Sequence, residues 1–378
     1  MKPDRVEQQA ARAIQTVRQA VPEVDLSFFL QLCSSFSNCA LAPNTPCIAV
    51  IGTGIPEIHL RACGLTPIFL FGGRYCSSEH TVSFFPPISD PTIRSAVEFL
   101  VTKGPTQIPS VALSPASTDA LKAQNYLQKM GFTVLSLERE IMPQNRMPSA
   151  YRDGQMRFLL QLESLSGTAL TVKHLSQEVA LSTKAHWLLR RLDSSGYPQT
   201  LKAFIRQSFY WASDRKEWNR QTESLLAKAP SAVSEDILLL GSSIYFPNSK
   251  IYSILEEVGI AQYQNFCSVP YPVDYSNLNQ SDCLPALLEQ AHLIHYDISR
   301  NDACALYGGT VRKASGVIFH LLKGQLQYAY EAERIEKSAI QQGIPFICVE
   351  TDYNDADYEQ VKVRLEGFAE LLRQRQNQ

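Results

Sequence analysis

Two glycine-containing turns carry the side chains best suited to hold an anionic ligand. GTGIPE spans residues 52–57, and GSS spans residues 241–243. The first turn does not match the dinucleotide fingerprint GxGxxG, because Glu57 stands where the third glycine belongs, and a tight strand-to-helix turn is favoured. At the second turn, hydroxyls and backbone amides suit an anion, and they suit a helix cap equally well. The sequence leaves both interpretations of GSS open.

Other catalytic and metal-binding patterns do not occur in the sequence. Neither Ser242 nor Ser243 lies in a GxSxG elbow, which disfavours an acyl-enzyme hydrolase, and there is no HExxH. The acidic loop at 352–357 lacks the glycine and glutamate spacing of a calcium loop, so a solvated turn is favoured. Nine cysteines occur without a CxxC pair, and their odd number argues against a secreted disulfide framework. We expect most of them to be reduced core residues.

Composition and charge narrow the class of protein. The chain has 378 residues, of which 45% are hydrophobic and 19% charged, and its net charge is −2. These values are typical of a globular chain with more than one core. Because acidic and basic residues are interspersed, neither nucleic acid nor an anionic membrane is expected as a partner. The N-terminus has no signal-peptide core and no apolar stretch is long enough to span a membrane, so we expect a cytoplasmic protein.

The apolar pattern predicts two α/β units separated by helices. From residue 46 to about residue 138, short apolar runs alternate with helical stretches, and the alternation returns from residue 234. Repeated strand and helix indicate a parallel sheet covered by helices. Between these regions apolar residues recur at three and four positions, as in helices. The predicted organisation is an N-terminal helical segment (1–44), a first α/β domain (45–145), a helical bridge (150–230) and a second α/β domain (231–378).

The loops that follow the predicted strands are the expected place for a ligand. In open parallel sheets, ligands bind outside the carboxyl ends of the strands, close to the N-termini of the following helices. The candidate stretches are 52–57, 85–91, 114–119, 241–248, 320–325 and 350–355.

The order of several stretches resembles one protein family. The stretches are GTGIPEIHLRACG (52–64), DPTIRS (90–95), ILLLGSSIYFPNSKIYSILEEVG (237–259), GVIFHLLKGQLQY (316–328) and GIPFICVETDYNDADYEQVKVRLEGFAELL (343–372). Together they are similar to the 2-hydroxyacyl-CoA dehydratase and benzoyl-CoA reductase subunit family, over about residues 45–372. The resemblance implies an α/β protein with two Rossmann-like (flavodoxin-like) parallel-sheet domains and a helical insert between them. It also implies a coenzyme A thioester as ligand and a related α/β subunit as partner, in a homo- or heterodimer.

The same resemblance implies a [4Fe-4S] cluster on three cysteines, and an ATP-dependent iron–sulfur activator that delivers one electron. At the three cysteine positions this sequence has Asp90, Thr118 and Gln325. Hydroxyl, amide and single carboxylate groups do not replace three thiolates on such a cluster, so we expect no cluster at this site. The remaining polar space would hold a hard cation through Asp90, fill with water, or collapse through hydrogen bonds among the three. Water or collapse is favoured.

Two functions from different classes are compatible with this pattern. In the first, the chain is a non-redox protein that binds acyl-CoA or another small ligand, or assists assembly, and the three replacements favour it. In the second, it is a subunit of a heterodimeric acyl-CoA dehydratase or reductase whose partner carries the cluster. The expected catalytic residues are Glu57 and His320, which would transfer protons. The expected ligand-binding residues are Thr53, Ser242, Ser243, Asp90, Thr118 and Gln325.

Overall fold

Two four-stranded, wholly parallel sheets form the framework of the protein. The computed structural model describes residues 5–37, 46–74, 80–137, 149–231, 236–278, 283–299 and 311–376. In each sheet the first strand lies between the second and the third, and the fourth strand follows the third. This arrangement confirms the predicted α/β class with two parallel-sheet units. The predicted domain limits at 44/45 and 145 lie outside the described residues.

The first lobe, which comprises the described residues between 46 and 137, contains the first sheet. Two helices precede it, α1 (Arg5–Ala20) and α2 (Ser27–Ser37). Its elements are β1 (Cys47–Ile51), α3 (Glu57–Ala62), β2 (Thr66–Leu70), α4 (Pro91–Lys103), β3 (Ser110–Leu113), α5 (Thr118–Lys129) and β4 (Thr133–Ser136). Because β1 pairs with both β2 and β3, the chain adds β2 on one side of β1 and β3 on the other. Such a switch point leaves a crevice at the carboxyl ends of the strands.

Four long helices follow the first lobe, and we call them the helical bridge. They are α6 (Ser149–Ser166), α7 (Val172–Asp193), α8 (Gln199–Trp211) and α9 (Arg215–Leu226). Within the described ranges, no helix of the protein combines the length and the apolar character that a membrane span requires.

The second lobe, which comprises the described residues from 236 onward, repeats the arrangement of the first. Its strands are β5 (Ile237–Gly241), β6 (Gln264–Asn265), β7 (Gly316–Leu322) and β8 (Phe346–Thr351). Its helices are α10 (Lys250–Glu257), α11 (Leu284–Ser299), α12 (Leu326–Gln341), a single 3₁₀ turn (Asp355–Asp357) and α13 (Tyr358–Gln376). Here β5 pairs with both β6 and β7, so a second switch point lies at the carboxyl ends of β5 and β7.

Helix α8 connects the two lobes. All of its residues from Gln199 to Tyr210 are buried, and it packs against β2 of the first lobe and against β6 and α10 of the second. The side-chain amide of Gln207 donates to the carbonyl oxygen of Phe246 and accepts from its N–H, both at 2.9 Å. Leaving these buried groups unpaired would cost about 1–3 kcal/mol. This reciprocal pair therefore fixes the loop after β5 on α8.

The acidic loop after β8 differs from the solvated turn expected from the sequence. The buried ammonium of Lys250 donates to the carbonyl oxygens of Asp352 and Asn354 at 2.9 and 2.6 Å, and to the carboxylate of Asp357 at 2.6 Å. The loop is thus folded around a cation from α10. The loop's own sequence could not indicate this, because Lys250 lies 102 residues before Asp352.

Gly73 allows the two lobes to approach closely. Its φ is +80°, and a Cβ at this position would lie 2.1 Å from the carbonyl oxygen of Tyr245 in the second lobe. We expect Gly73→Ala to lower the free energy of unfolding by about 3 kcal/mol or more, since it combines a left-handed backbone with a backbone clash. Urea unfolding measures this loss.

Gly343→Ala is the matched control for that prediction. Gly343 has a φ of +70° and no heavy atom within 4 Å of an added Cβ. Gly343→Ala should lower the free energy of unfolding only by the cost of the left-handed backbone, about 1–2 kcal/mol. Equal losses in the two variants would contradict the close approach of the lobes at Gly73.

Candidate functional site

A cavity of about 310 Å³ lies where the loops after β1, β5 and β6 meet α8. Its position corresponds to the carboxyl ends of the strands in both sheets, where open parallel sheets bind their ligands. The fourteen lining residues are Thr53, Ile55, Glu57, Phe69, Phe71, Tyr210, Ser243, Tyr245, Ser268, Pro270, Tyr271, Pro272, Val273 and Tyr328. The cavity therefore combines an apolar surface with a few hydroxyl groups, which is the usual character of a small-molecule site.

Four of the lining side chains form a continuous group, which we call the aromatic box: Phe69, Phe71, Tyr210 and Tyr245. The centroid of the Phe71 ring lies 5.4 Å from that of Phe69 and 5.4 Å from that of Tyr245, with near-parallel planes. Tyr210 meets Phe69 and Phe71 edge-on at 5.0 and 4.9 Å. Each such pair contributes about 0.5–1.5 kcal/mol beyond its buried area. The box is therefore a rigid apolar wall.

The tyrosines of the box are neutral hydrogen-bonding groups. Burial raises the pKa of Tyr245 to about 12, and burial followed by the nearby Glu57 raises the pKa of Tyr210 further. The hydroxyl of Tyr210 donates to the carbonyl oxygen of Pro270 at 3.0 Å. This bond attaches the loop after β6 to α8.

Glu57 is the acidic residue of the cavity wall, and it is neutralised by arginine. Its carboxylate forms a short ion pair with the guanidinium of Arg215 and lies 3.8 Å from Arg61. Arg215 also packs over the ring of Phe209, with 3.4 Å between its Cζ and the ring centroid. Burial, followed by the repulsion from Arg215, lowers the pKa of Arg61 to about 9. Glu57 thus presents a carboxylate whose charge is already compensated inside the protein.

The structure brings three of the expected site residues together. Thr53 and Glu57 in the segment after β1 and Ser243 in the loop after β5 all line the cavity. The other two expected residues of this group, Ser242 and His320, do not occur among the lining residues. Loops at strand ends thus contribute to the cavity, but not every polar side chain at a strand end faces it.

Ser242 and His320 connect β5 with β7. The carbonyl oxygen of Ser242 lies 2.6 Å from Nδ1 of His320, and since a carbonyl only accepts, Nδ1 carries the proton. The hydroxyl of Ser242 accepts from the N–H of Leu322 at 2.9 Å. Burial lowers the pKa of His320 to about 4, so its ring is neutral at pH 7. The side chains of Ser242 and His320 therefore hold β5 and β7 together through hydrogen bonds.

Sequence reasoning missed the aromatic wall and the loop after β6. Phe69, Phe71 and Tyr210 lie in apolar strand and helix patterns that predict core residues, and they are indeed buried. The loop contributes five lining residues, Ser268 and residues 270–273, and it follows a strand of only two residues. Its clustered prolines and tyrosines, without helical or strand periodicity, were the available signal.

Comparison with known proteins identifies the family. A family model described as 2-hydroxyglutaryl-CoA dehydratase, D-component, matches residues 53–372, a range that includes every residue lining the cavity. The chain belongs to the 2-hydroxyglutaryl-CoA dehydratase D-component family. A curated relative is the (R)-phenyllactyl-CoA dehydratase beta subunit of Clostridium sporogenes, which is 21% identical over 342 residues. The alignment covers 84% of this chain and 89% of that subunit.

The side chains at the three expected cluster positions of this dehydratase-family chain do not form an iron–sulfur ligand set. The carboxylate of Asp90 caps α4, accepting from the N–H and the hydroxyl of Thr92 at 2.8 and 2.6 Å. The amide of Gln325 donates to the two carboxylate oxygens of Asp90 at 3.2 and 3.4 Å. Thr118 is exposed at the start of α5. Oxygen and amide groups that already bond each other do not fit a cluster that needs sulfur anions.

The contact between Asp90 and Gln325 also joins the two lobes. The N–H of Asp90 donates to Asp119 at 2.8 Å, so the carboxylate after Thr118 takes part as well. Two of the three side chains, Asp90 and Gln325, thus bond each other, whereas the expected collapse also included Thr118, which is exposed. Within the described residues, no group of three histidine, cysteine, aspartate or glutamate side chains is arranged to hold a metal ion.

The buried imidazole of His320 predicts a pH dependence of stability. Because its pKa is about 4 in the folded protein and about 6.5 when unfolded, the unfolded chain binds an extra proton between these values. The free energy of unfolding should therefore fall with acidification below pH 6.5, by up to about 1.4 kcal/mol per pH unit from this group.

Urea unfolding of the wild type and of His320→Gln at pH 8, 7, 6 and 5 measures this contribution. The difference in unfolding free energy between the two proteins should be constant from pH 8 to pH 7 and should shrink from pH 6 to pH 5. A difference that stays constant over the whole range would rule out a neutral, buried His320.

Proposed function

We propose that the chain is a 2-hydroxyacyl-CoA dehydratase-family subunit that binds an acyl-CoA, or a similar small ligand, and works without a [4Fe-4S] cluster of its own. One observation carries the proposal: at the position expected for the cluster, Gln325 and Asp90 bond each other at 3.2 Å. Side chains that bond each other across the lobes, and that carry no sulfur, offer no thiolate donors for iron. The function proposed for the site is therefore non-redox binding.

The cavity supports the binding half of this proposal. It lies at the carboxyl ends of the strands, is lined by residues of both lobes and of α8, and has a volume of about 310 Å³. Hydroxyls of Thr53, Ser243 and Ser268 are among its polar groups. These groups suit the carbonyl oxygen of a thioester or a hydroxyl on the acyl chain.

The second candidate function is that of an enzyme subunit whose partner holds the cluster. The specific observation that favours it is the relative from C. sporogenes, which is named a beta subunit of a dehydratase. In this case a related α/β subunit is the partner in a heterodimer, and an ATP-dependent iron–sulfur activator supplies the electron. Glu57 is then the one expected proton-transfer residue that lies at the cavity, whereas His320 is buried away from it.

Analysis of iron and sulfide after anaerobic purification tests the absence of a cluster. The wild-type chain should contain far fewer than the four iron and four sulfide of a [4Fe-4S] cluster, and it should lack the broad visible absorption of thiolate-bound iron. The variant with Asp90→Cys, Thr118→Cys and Gln325→Cys is the matched control and should gain iron after reconstitution. Stoichiometric iron and sulfide in the wild type would overturn the proposal.

Thermal unfolding with coenzyme A and acyl-CoA thioesters tests ligand binding. A ligand at about one hundred times its Kd adds about 2.7 kcal/mol to the free energy of unfolding, so the Tm should rise. No rise with any thioester would contradict binding. Purification of the chain with a related, cysteine-containing subunit, and dehydration activity only in that complex, would favour the second candidate over the first.

A further inference from the structure

The lining of the cavity restricts the kind of acyl group that it can hold. Six of its fourteen residues are aromatic, and four of these form the aromatic box described above. Tyr271 and Tyr328, on the loop after β6 and on α12, supply the other two. Aromatic rings stack preferentially with further rings, offset or edge-on, at centroid distances like those already present in the box.

The volume of the cavity corresponds to a ring with a short chain. A dry protein cavity of about 150 Å³ holds a benzene molecule, and this cavity measures about 310 Å³. A phenyl ring with two or three further carbon atoms would therefore fit within it.

The charges at the cavity disfavour an acyl group that ends in a carboxylate. Glu57 is the charged residue among the lining side chains, and no lysine, arginine or histidine occurs among them. The two guanidiniums beside Glu57 are already engaged. Arg215 is paired with Glu57 and packed over Phe209, and Arg61, 3.8 Å from Glu57, donates to the carbonyl oxygens of Ala212 and Ser213. A second carboxylate would thus lose its hydration beside an existing one, without a free cation to compensate it.

The cations near Tyr271 are engaged in the same way. Arg206 packs over the Tyr271 ring at 4.0 Å and donates to its hydroxyl at 3.0 Å, and its guanidinium is also paired with Asp193 at 2.6 Å. This arginine therefore holds the tyrosine in place as part of the wall.

We infer that the cavity selects an uncharged aryl acyl group of about phenylpropanoyl size and rejects acyl groups with a terminal carboxylate. The aromatic box provides the attraction. The rejection arises because an acyl carboxylate would lose its hydration where the arginines beside Glu57 are already engaged, and specificity draws on both kinds of contact. The inference rests on the proposed function for the thioester part of the ligand, whereas the choice of acyl group rests on the cavity alone.

Isothermal titration calorimetry with three small thioesters of N-acetylcysteamine tests the acyl preference without coenzyme A. The probes are the 3-phenylpropanoyl, hexanoyl and glutaryl thioesters. The phenylpropanoyl thioester should bind at least tenfold more tightly than the hexanoyl thioester, and the glutaryl thioester should bind most weakly. Hexanoyl or glutaryl binding equal to that of phenylpropanoyl would overturn the inference, as would no binding of any probe.

Substitution of an aromatic lining residue tests the attraction for the aryl group. Phe71→Leu should reduce the preference for the phenylpropanoyl over the hexanoyl thioester by about tenfold. Phe84→Leu is the matched control, since Phe84 is 48% exposed and does not line the cavity, and it should keep the wild-type preference. If Phe71→Leu fails to fold, Tyr271→Leu replaces it with the same expected direction. An unchanged preference in whichever of these two variants folds would contradict the role of the aromatic lining.

Glu57→Gln tests the role of charge. Removing the carboxylate leaves the guanidinium of Arg215 available to an acyl carboxylate, so binding of the glutaryl thioester should become about tenfold tighter. Glutaryl binding that stays as weak as in the wild type would contradict the proposed rejection. If this variant does not fold, the order of the three wild-type affinities decides the question.

The same titrations with the coenzyme A thioesters distinguish this inference from the proposed function. If all acyl-CoA thioesters bind equally well, the proposed function stands and the acyl preference is wrong. If the N-acetylcysteamine probes show the expected order but no coenzyme A thioester binds, the acyl preference stands and coenzyme A is not part of the ligand.

Discussion

The reciprocal hydrogen bonds between the Gln207 side chain and the Phe246 backbone are the contact on which the arrangement of the site depends. α8 is buried along almost its whole length, and this amide holds the loop after β5 against it at two points of 2.9 Å. Tyr210, one turn further along α8, then reaches both Phe71 of the first lobe and Pro270 of the second. A single helix thereby brings the carboxyl ends of both sheets to one cavity.

The negative charge of Glu57 at the cavity is neutralised by the buried guanidinium of Arg215 and not by solvent. Glu57 and Arg215 are both almost fully buried, and removing either partner of such a pair typically costs about 3–5 kcal/mol, because the other charge is left uncompensated. Burial also raises the pKa of the tyrosines, so they remain neutral donors. The cavity wall therefore presents hydroxyls and rings, and its one carboxylate has a permanent partner.

The contact of Asp90 with Gln325 gives a second polar link between the lobes. Within its own segment, Asp90 has the local role of capping α4, and Gln325 is the residue directly before α12. Their side chains nevertheless meet across 235 residues of sequence, close to the place where Gly73 lets the lobes approach Tyr245. Hydrogen bonds within the protein thus occupy the region for which the family resemblance implies thiolate chemistry.

The sequence by itself determined the two parallel α/β units and the helices between them, because strand and helix periodicity are local features. It also named Thr53, Glu57 and Ser243, which line the cavity. Only the tertiary structure decided which side chains face the cavity: His320 points into the contact between β5 and β7, and the aromatic box joins residues that are far apart in the chain. Pairing between distant residues, as between Glu57 and Arg215, leaves no periodic or local pattern, so it becomes visible only when the chain is folded.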